Sequence, residues 1–219
     1  MSASIGIRAG ALVVCLACAG CLSLPKKTPP PTLYALDRAI GSQGAAAPRQ
    51  ALQATIAIDA PGGHVPVLGD ELVWREKDTI AFVSGVGWSG MARAALQRML
   101  VESARAAGAA TTFANGEGGR ATYLVRWEVS HFEVIADGSA PVAVLMLDAQ
   151  LLSARTRELV GVRHVEQRET LADRSQTEAA RALRAVAQVG SDELGQWVVQ
   201  QAAAAQQATP ALTQTAVAR

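Results

Sequence analysis

Three cysteines are the most chemically distinctive residues of the sequence. Cys15, Cys18 and Cys21 all precede residue 22, and no cysteine follows them. Three thiolates could ligate zinc, but these stand in an apolar run without partner ligands after it. The same count excludes a disulfide from the rest of the chain, which must therefore be stabilised by packing. The cysteines predict neither a metal site nor a disulfide framework.

The other reactive side chains form no catalytic pattern. His64, His131 and His164 lie in separate predicted elements and lack metal-ligand spacing. No Gly-x-Ser-x-Gly motif provides a serine nucleophile. The stretch of residues 85–90 is rich in glycine but lacks the lysine and the glycine spacing of a phosphate-binding loop, so it predicts a flexible link before a helix. We expect no enzyme activity, no cofactor and no metal.

Trp88, within that glycine-rich stretch, is the one candidate contact residue for a partner or an acyl chain. An aromatic ring in a glycine-rich loop can be exposed to such a ligand. A position in the core is the more frequent use of tryptophan, because its ring buries a large area. The two alternatives predict opposite exposures for the same side chain.

A secretory signal peptide is predicted at the amino terminus. Arg8 and the free amino group give a positive start, residues 9–18 are apolar, and small residues follow. The apolar stretch is shorter than the roughly 20 residues of a membrane-spanning helix, which disfavours a permanent anchor helix. We expect residues 1–20 to be removed on export.

The end of this signal resembles a lipobox, the motif at which bacterial lipoproteins are cleaved and acylated. The residues that carry the resemblance are Cys18-Ala19-Gly20-Cys21, with cysteine where leucine is usual. It implies acyl chains such as palmitate on Cys21, with Cys18 as the alternative position. Two or three chains anchor a protein stably, because each buried methylene contributes about 0.8 kcal/mol. No aspartate follows Cys21 directly, which favours the periplasmic face of the outer membrane over the inner membrane.

Charge and composition indicate one soluble-type domain behind this anchor. The chain has 20 Lys and Arg against 19 Asp and Glu, so no broad field attracts nucleic acid, and none is expected as a partner. Proline in residues 25–31 prevents a helix and predicts a tether over residues 21–32. The domain is expected at residues 33–205, and a disordered tail at residues 206–219.

Hydrophobic periodicity predicts an α+β fold. Residues 122–134 and 142–152 alternate between apolar and polar positions and are joined by turn residues, so they should pair antiparallel. The polar run at residues 158–168 should lie at an edge. Shorter strands are predicted at residues 33–36, 54–58, 72–75 and 79–82, the last two as a hairpin, and residues 41–49 as a mobile loop.

Two segments have helical spacing. The first covers residues 89–107, with Ser89 as its cap and Gly108 after its end. The second begins at Ser175, whose spacing to Glu178 fits a capping box, and continues to about residue 205. Its two internal glycines weaken that helix prediction. The expected architecture is a single domain, a mixed and mostly antiparallel sheet with two main amphipathic helices packed on it.

The order of these signals resembles the ABC-type transport auxiliary lipoproteins, a PqiC-like family that works with MCE-type lipid transport systems. The resemblance covers about residues 34–203. It rests on Tyr34-Ala35-Leu36, on Leu72-Val73-Trp74-Arg75, on Trp88 before the first helix, on residues 124–132 and on the closing helix. Trp74 stands where the family usually has tyrosine, and Ser89-Gly90 where it often has an acidic residue and proline.

The resemblance implies a non-catalytic accessory component of an ABC/MCE-type lipid transport system. Its implied partners are an MCE-family periplasmic protein, an ABC permease and ATPase complex, the membrane and phospholipid. An alternative is an envelope-assembly or scaffold lipoprotein that makes only protein contacts. A third hypothesis, an envelope hydrolase, would need a constellation that the sequence does not supply.

Overall fold

A computed structural model of the chain describes residues 30–37, 52–138 and 140–217, with side chains up to residue 208. In chain order the strands are β1 (Thr32–Tyr34), β2 (Ile56–Ile58), β3 (Gly62–Gly63), β4 (Glu71–Glu76), β5 (Thr79–Trp88), β6 (Thr112–Ala114), β7 (Tyr123–Ile135), β8 (Val142–Ser153) and β9 (Leu159–Thr170). The helices are α1 (Ala92–Ala106) and α2 (Gln176–Val217). The expected signal peptide, Cys21, most of the tether and the loop at residues 41–49 lie outside the described residues.

The three long strands β7, β8 and β9 form an antiparallel array. Alternation places the apolar side chains of β7 and β8 on one face, where Val125, Val129, Leu145 and Leu147 are buried, and the polar ones on the other. Among the described strands β9 pairs only with β8, so it lies at an edge. The pairing and the edge position predicted from the sequence are confirmed.

The opposite edge of β7 is shared by three short strands in succession. β2, β3 and β4 each run parallel to β7, one after another along its length. Pro61 separates β2 from β3, and a short 3-10 helix, Val65–Leu68, separates β3 from β4. Beyond them β6 extends β2, while β5 and β1 extend β4. The sheet is therefore mixed, and its longest pairings are antiparallel.

One extra residue in β7 changes which side chains face the core. The pairing with β8 shifts between Val129 and His131, which is a β-bulge. Before the bulge the odd-numbered positions face inward, and after it Phe132 and Val134 do so. His131 and Glu133 are thereby placed on the outer face of the sheet.

The two helices pack against the apolar face of the sheet. Their buried side chains join those of the strands in one hydrophobic cluster, which includes Leu96 and Met99 of α1 and Leu183 and Val198 of α2. α1 begins after Met91 and has no side-chain cap, so the predicted cap at Ser89 is wrong. The backbone N–H of Ser89 instead donates to the carbonyl of Tyr34 at 2.8 Å, which ties this residue to the sheet. None of the helices in the described ranges is both long and apolar enough to cross a bilayer.

Side-chain hydrogen bonds fix the first turn of α2. The Ser175 hydroxyl accepts from the Glu178 N–H at 3.2 Å, as the capping box predicts. Glu178 itself accepts from the Ala172 N–H at 3.0 Å, and not from Ser175, whose N–H donates to Asp173. The hydrogen bond from Arg181, followed by that from Ala172, lowers the pKa of Glu178 to about 2.

Two glycines of α2 allow close packing on two sides. A Cβ at Gly190 would lie 2.6 Å from a methyl group of Leu145 in the sheet. A Cβ at Gly195 would lie 2.9 Å from the backbone of Ser103 and Ala104 in α1. From the sequence alone, these glycines are expected only to weaken the helix. The structure shows the physical reason for them, which is the absence of room for a side chain.

The helix α2 continues to Val217, whereas the sequence predicted a disordered tail from Gln206. Alanine and glutamine favour a helix, and extending a helix costs little once it has formed. Pro210 lacks one backbone donor, but the helical span does not end there. The helical span therefore ends twelve residues beyond the end predicted at about residue 205.

Replacing Gly195 by alanine should destabilise the domain. Alanine gains about 1 kcal/mol in helix propensity, but overpacking against the rigid backbone of α1 should cost more, with a net loss of about 2 kcal/mol. Urea denaturation of the Gly195→Ala variant measures this loss. The matched control is Gly190→Ala in the same helix, which meets the movable end of Leu145 and should stay within about 1 kcal/mol of the parent. Equal losses in the two variants would contradict the explanation.

Candidate functional site

Trp88 lies in the core at the end of β5. Its side chain is 3% exposed, and its ring stacks on Phe132 with the centroids 6.0 Å apart. The prediction of an exposed contact for a partner or an acyl chain is therefore wrong, and the alternative of a core residue is the one observed. The area of an indole ring makes such a position strongly stabilising.

The glycine-rich stretch before Trp88 belongs to β5 and is not a flexible link. A Cβ at Gly87 would lie 2.5 Å from the carbonyl oxygen of Asp70, so a side chain has no room there. The N–H of Trp88 donates to the same carbonyl at 2.6 Å. Glycine at position 87 thus lets the two backbones approach closely, and the side chain of the next residue, Trp88, lies in the core.

The three histidines are not brought together. Nδ1 of His164 lies 2.9 Å from Asp148 on the exposed face of β8 and β9, and Nδ1 of His131 lies 2.6 Å from Oε1 of Glu133. His64 stands in the segment between β3 and the 3-10 helix. Among the described residues, no group of three or more histidine, cysteine, aspartate or glutamate residues could hold a metal ion.

A buried carboxylate in contact with an arginine and a histidine is the most unusual polar feature of the sheet. Glu133 is fully buried, and its Oε1 lies 2.9 Å from Nε of Arg75 and 2.6 Å from Nδ1 of His131. The hydrogen bond to Glu133 raises the pKa of Arg75. The bulge in β7 and the parallel pairing with β4 place the three side chains on one face. We call these residues the Arg75 cluster.

The Arg75 cluster leaves one buried atom without a partner. In the part of the chain that the structure describes, Oε2 of Glu133 has no hydrogen-bond donor. A buried charge is tolerated only when it is paired, so the cluster depends on both contacts to Oε1. Arg75 is 26% exposed and also lines an open cleft of about 530 Å³ together with His64 and Ser130.

The cluster contains only part of a hydrolytic triad. His131 and Glu133 make the imidazole–carboxylate contact. The neighbouring Ser130, however, donates its hydroxyl to the carbonyl of Met146 at 3.3 Å. No nucleophile–base pair is therefore assembled among the described residues around His131. What the geometry does provide is an ion pair that joins β4 to β7.

Arg75 and Glu133 were not predicted from the sequence as a site. The available signal is the pair of consecutive polar residues Ser130 and His131, after which the apolar positions change from odd to even numbers, as Phe132 shows. Three ionisable residues on one sheet face, one of them fully buried, could be recognised only once the register was known. Cys21, the predicted lipidation site, lies outside the described residues, and its acylation stays a prediction.

Comparison with protein families gives one extended match. Residues 34–195 match the model of the family described as ABC-type transport auxiliary lipoprotein component. This range begins at the last residue of β1 and ends inside α2, so it includes β2 to β9 and α1. No sequence among curated proteins matches this chain.

Solved structures share the fold at low sequence identity. Protein XCC0632 from Xanthomonas campestris is 18% identical, with a TM-score of 0.68 over 81% of this chain and 97% of that one. A second structure, described only as an uncharacterized protein, is 12% identical, with a TM-score of 0.59 over 77% of this chain and 99% of that one. At such identities the similarity concerns the fold alone.

Removing Arg75 should cost much more stability than removing an exposed arginine. Arg75→Leu leaves Glu133 buried with only His131 as a partner, and we expect a loss of about 3 kcal/mol in the free energy of unfolding. Replacing both Arg75 and Glu133 by leucine should recover most of it, because no buried charge remains. Urea denaturation of the single and double variants measures both values.

The control for this prediction is Arg163→Leu, which breaks the ion pair to Glu193. Both partners of that pair are partly exposed, and the N–O distance is 2.6 Å. An exposed pair contributes less than about 1 kcal/mol, so this variant should unfold nearly as the parent does. A similar loss in Arg75→Leu and Arg163→Leu would show that Glu133 does not depend on Arg75.

Proposed function

This chain belongs to the family of ABC-type transport auxiliary lipoprotein components, and we propose that it serves an ABC/MCE-type lipid transport system as a non-catalytic accessory component. The match over residues 34–195 is the observation that carries the proposal. The polar geometry agrees with a non-catalytic role, since His131 and Glu133 are held in an ion-pair cluster and the adjacent Ser130 hydroxyl donates to the backbone.

The proposed partners are an MCE-family periplasmic protein and an ABC permease with its ATPase. An accessory component of this kind acts by binding its partners. Its binding surfaces therefore need complementary shape and charge, but no reactive group. The polar outer face of β7, β8 and β9 is consistent with this requirement, because it carries exposed side chains of both signs, among them Arg126, Asp148 and Arg168. Mixed charge favours specific orientation of a protein partner over general attraction.

We further propose that the protein is attached to the membrane through acyl chains on Cys21, at the periplasmic face of the outer membrane. The support is the lipobox-like sequence Cys18-Ala19-Gly20-Cys21 and the absence of an aspartate directly after it. The proline-containing tether would then separate the domain from the lipid surface. Extended at about 3.1 Å per residue, eleven residues reach roughly 30 Å.

Labelling with palmitate tests the attachment. The parent chain should incorporate labelled palmitate and migrate as a processed form, because acylation and cleavage depend on the same cysteine. Cys21→Ser should lose the label and keep its signal peptide, whereas the control Cys18→Ser should retain the label. Gel autoradiography measures the palmitate label, and the intact mass shows whether the signal peptide has been removed. Label retained in Cys21→Ser and lost in Cys18→Ser would move the site to Cys18.

Co-purification tests the transport role. Isolating the full-length protein from its native membranes in mild detergent should recover an MCE-domain protein and an ABC permease, identified by mass spectrometry. The same isolation from cells that make Cys21→Ser should recover less of both, since the tether no longer holds the domain beside them. Recovery of envelope-assembly components alone would favour the scaffold alternative and count against transport.

A further inference from the structure

A large open cavity lies at one end of the sheet, away from the Arg75 cluster. Its volume is about 890 Å³, which is within the usual range of small-molecule sites. It is enclosed by the segment before β7, the turn between β8 and β9, the start of β9, and Ala205 on α2. We call it the end cavity. None of the residues discussed under the proposed function lines it.

One side of the end cavity is apolar and accessible. Leu159 is 59% exposed, although it is a large aliphatic side chain at the start of a strand. Val160, Ala121 and Ala205 extend this apolar lining. Exposed apolar area in a concave site is favourable only when a ligand covers it. The chemistry of this side therefore fits a hydrocarbon chain.

The rim of the end cavity carries two arginines without a carboxylate partner. In the described part of the chain, neither Arg120 nor Arg155 makes an ion pair or a hydrogen bond. Glu158 also lines the cavity, but it accepts a hydrogen bond from the Thr156 hydroxyl at 2.8 Å and contacts neither arginine. Two planar guanidinium groups at one rim are suited to a phosphate, which each of them can bind through two parallel hydrogen bonds.

A buried tyrosine adds a third polar group. Tyr123 is 7% exposed and lines the end cavity, and its hydroxyl has no hydrogen-bond partner within the described ranges. Burial raises the pKa of Tyr123, so the hydroxyl keeps its proton and can donate. The hydroxyl oxygen is not among the fully buried unpaired atoms of the described residues, so it is accessible in the cavity and can donate to a ligand oxygen there.

We infer that the end cavity binds an anionic phospholipid, with its phosphate between Arg120 and Arg155 and the start of an acyl chain along Leu159 and Val160. An amphiphile of this kind is the one ligand class that uses both sides of the cavity. A free phosphate would leave the apolar side uncovered, and a neutral lipid would leave the arginines unpaired. The location of the binding site is inferred from the geometry alone. The choice of a phospholipid over other anionic amphiphiles rests on the proposed function.

Photocrosslinking in living cells tests the inference with the full-length protein. Leu159 is replaced by the photoreactive residue p-benzoylphenylalanine in cells whose phospholipids are labelled with 32P. Ultraviolet light should then transfer 32P to the protein, and the acyl anchor expected on Cys21 contains no phosphorus. The control carries the same probe at Val189, which is 53% exposed on α2 and outside the cavity. Equal label at both positions would overturn the inference.

Phospholipase C separates a bound phospholipid from other phosphorylated molecules. The enzyme removes the phosphorylated headgroup, so the 32P of a phospholipid adduct should be lost while the protein remains modified. Label that survives the treatment would identify a different phosphorylated ligand and would overturn the lipid assignment. The transport partners are not needed for this result, and therefore a failure here is distinct from a failure to recover an MCE protein.

Charge removal tests the role of the arginines. With the probe at residue 159, Arg120→Gln together with Arg155→Gln should lower the crosslinked 32P about tenfold, because two charge-assisted contacts are lost. The matched control is Arg93→Gln with Arg98→Gln on α1, two exposed arginines that do not line the cavity. Equal crosslinking in the two double variants would contradict phosphate binding at the rim.

Tyr123→Phe distinguishes a ligand contact from a structural role. Removing a hydroxyl that has no protein partner and is accessible to water should leave the melting temperature nearly unchanged. The same variant should lower the crosslinked 32P about threefold, because one neutral hydrogen bond to the lipid is lost. Unchanged crosslinking would remove Tyr123 from the site, and a lowered melting temperature would show that the hydroxyl has a structural partner.

Discussion

The register of β7 is the constraint on which the rest of this structure depends. This strand pairs with β8 along one edge and with three short strands along the other, so its pleat sets which side chains of five strands can face each other. The bulge between Val129 and His131 reverses that pleat part of the way along. As a result, Phe132 meets Trp88 in the core, while Glu133 is forced to the outer face. A buried carboxylate on that face then requires Arg75 as its partner.

Much of the fold could be predicted from the sequence because hydrophobic periodicity is a local signal. It predicted the long hairpin, the edge strand, α1 and the start of α2 within a few residues, but it placed the end of α2 twelve residues too early. The bulge in β7 has only a weak signal, the adjacent polar residues Ser130 and His131 that interrupt the alternation, and its effect on which side chains face each other depends on how the strands pair. The burial of Trp88 was equally undetermined, since a glycine-rich segment can be a loop or, as at Gly87, a place where backbones touch. The end cavity was missed because Arg155 lies 32 residues after Tyr123 in the sequence, and only the pairing of Tyr123 with Ser153 brings the two regions together.

The polar side chains of this domain are used for two different purposes. On the helix-free face, Arg75 neutralises the Glu133 carboxylate and His131 hydrogen-bonds to it, so both side chains contribute to the folding of the sheet. At the end of the sheet, Arg120 and Arg155 neutralise nothing within the described residues. An accessory component needs this division, because contacts that stabilise the domain must not compete with contacts to a ligand or partner. The absence of a shared residue between the two regions keeps them separable by mutation.

The two glycines of α2 also restrict how this helix can move against its neighbours. Gly190 touches the sheet and Gly195 touches α1, so the longest helix has a notch on each of two sides. Five residues separate the notches, a rise of about 7.5 Å. Sliding or rotating the helix by one residue would bring a side chain into both contacts at once. The two contacts therefore fix both the position of the helix along its axis and its rotation relative to the sheet and to α1.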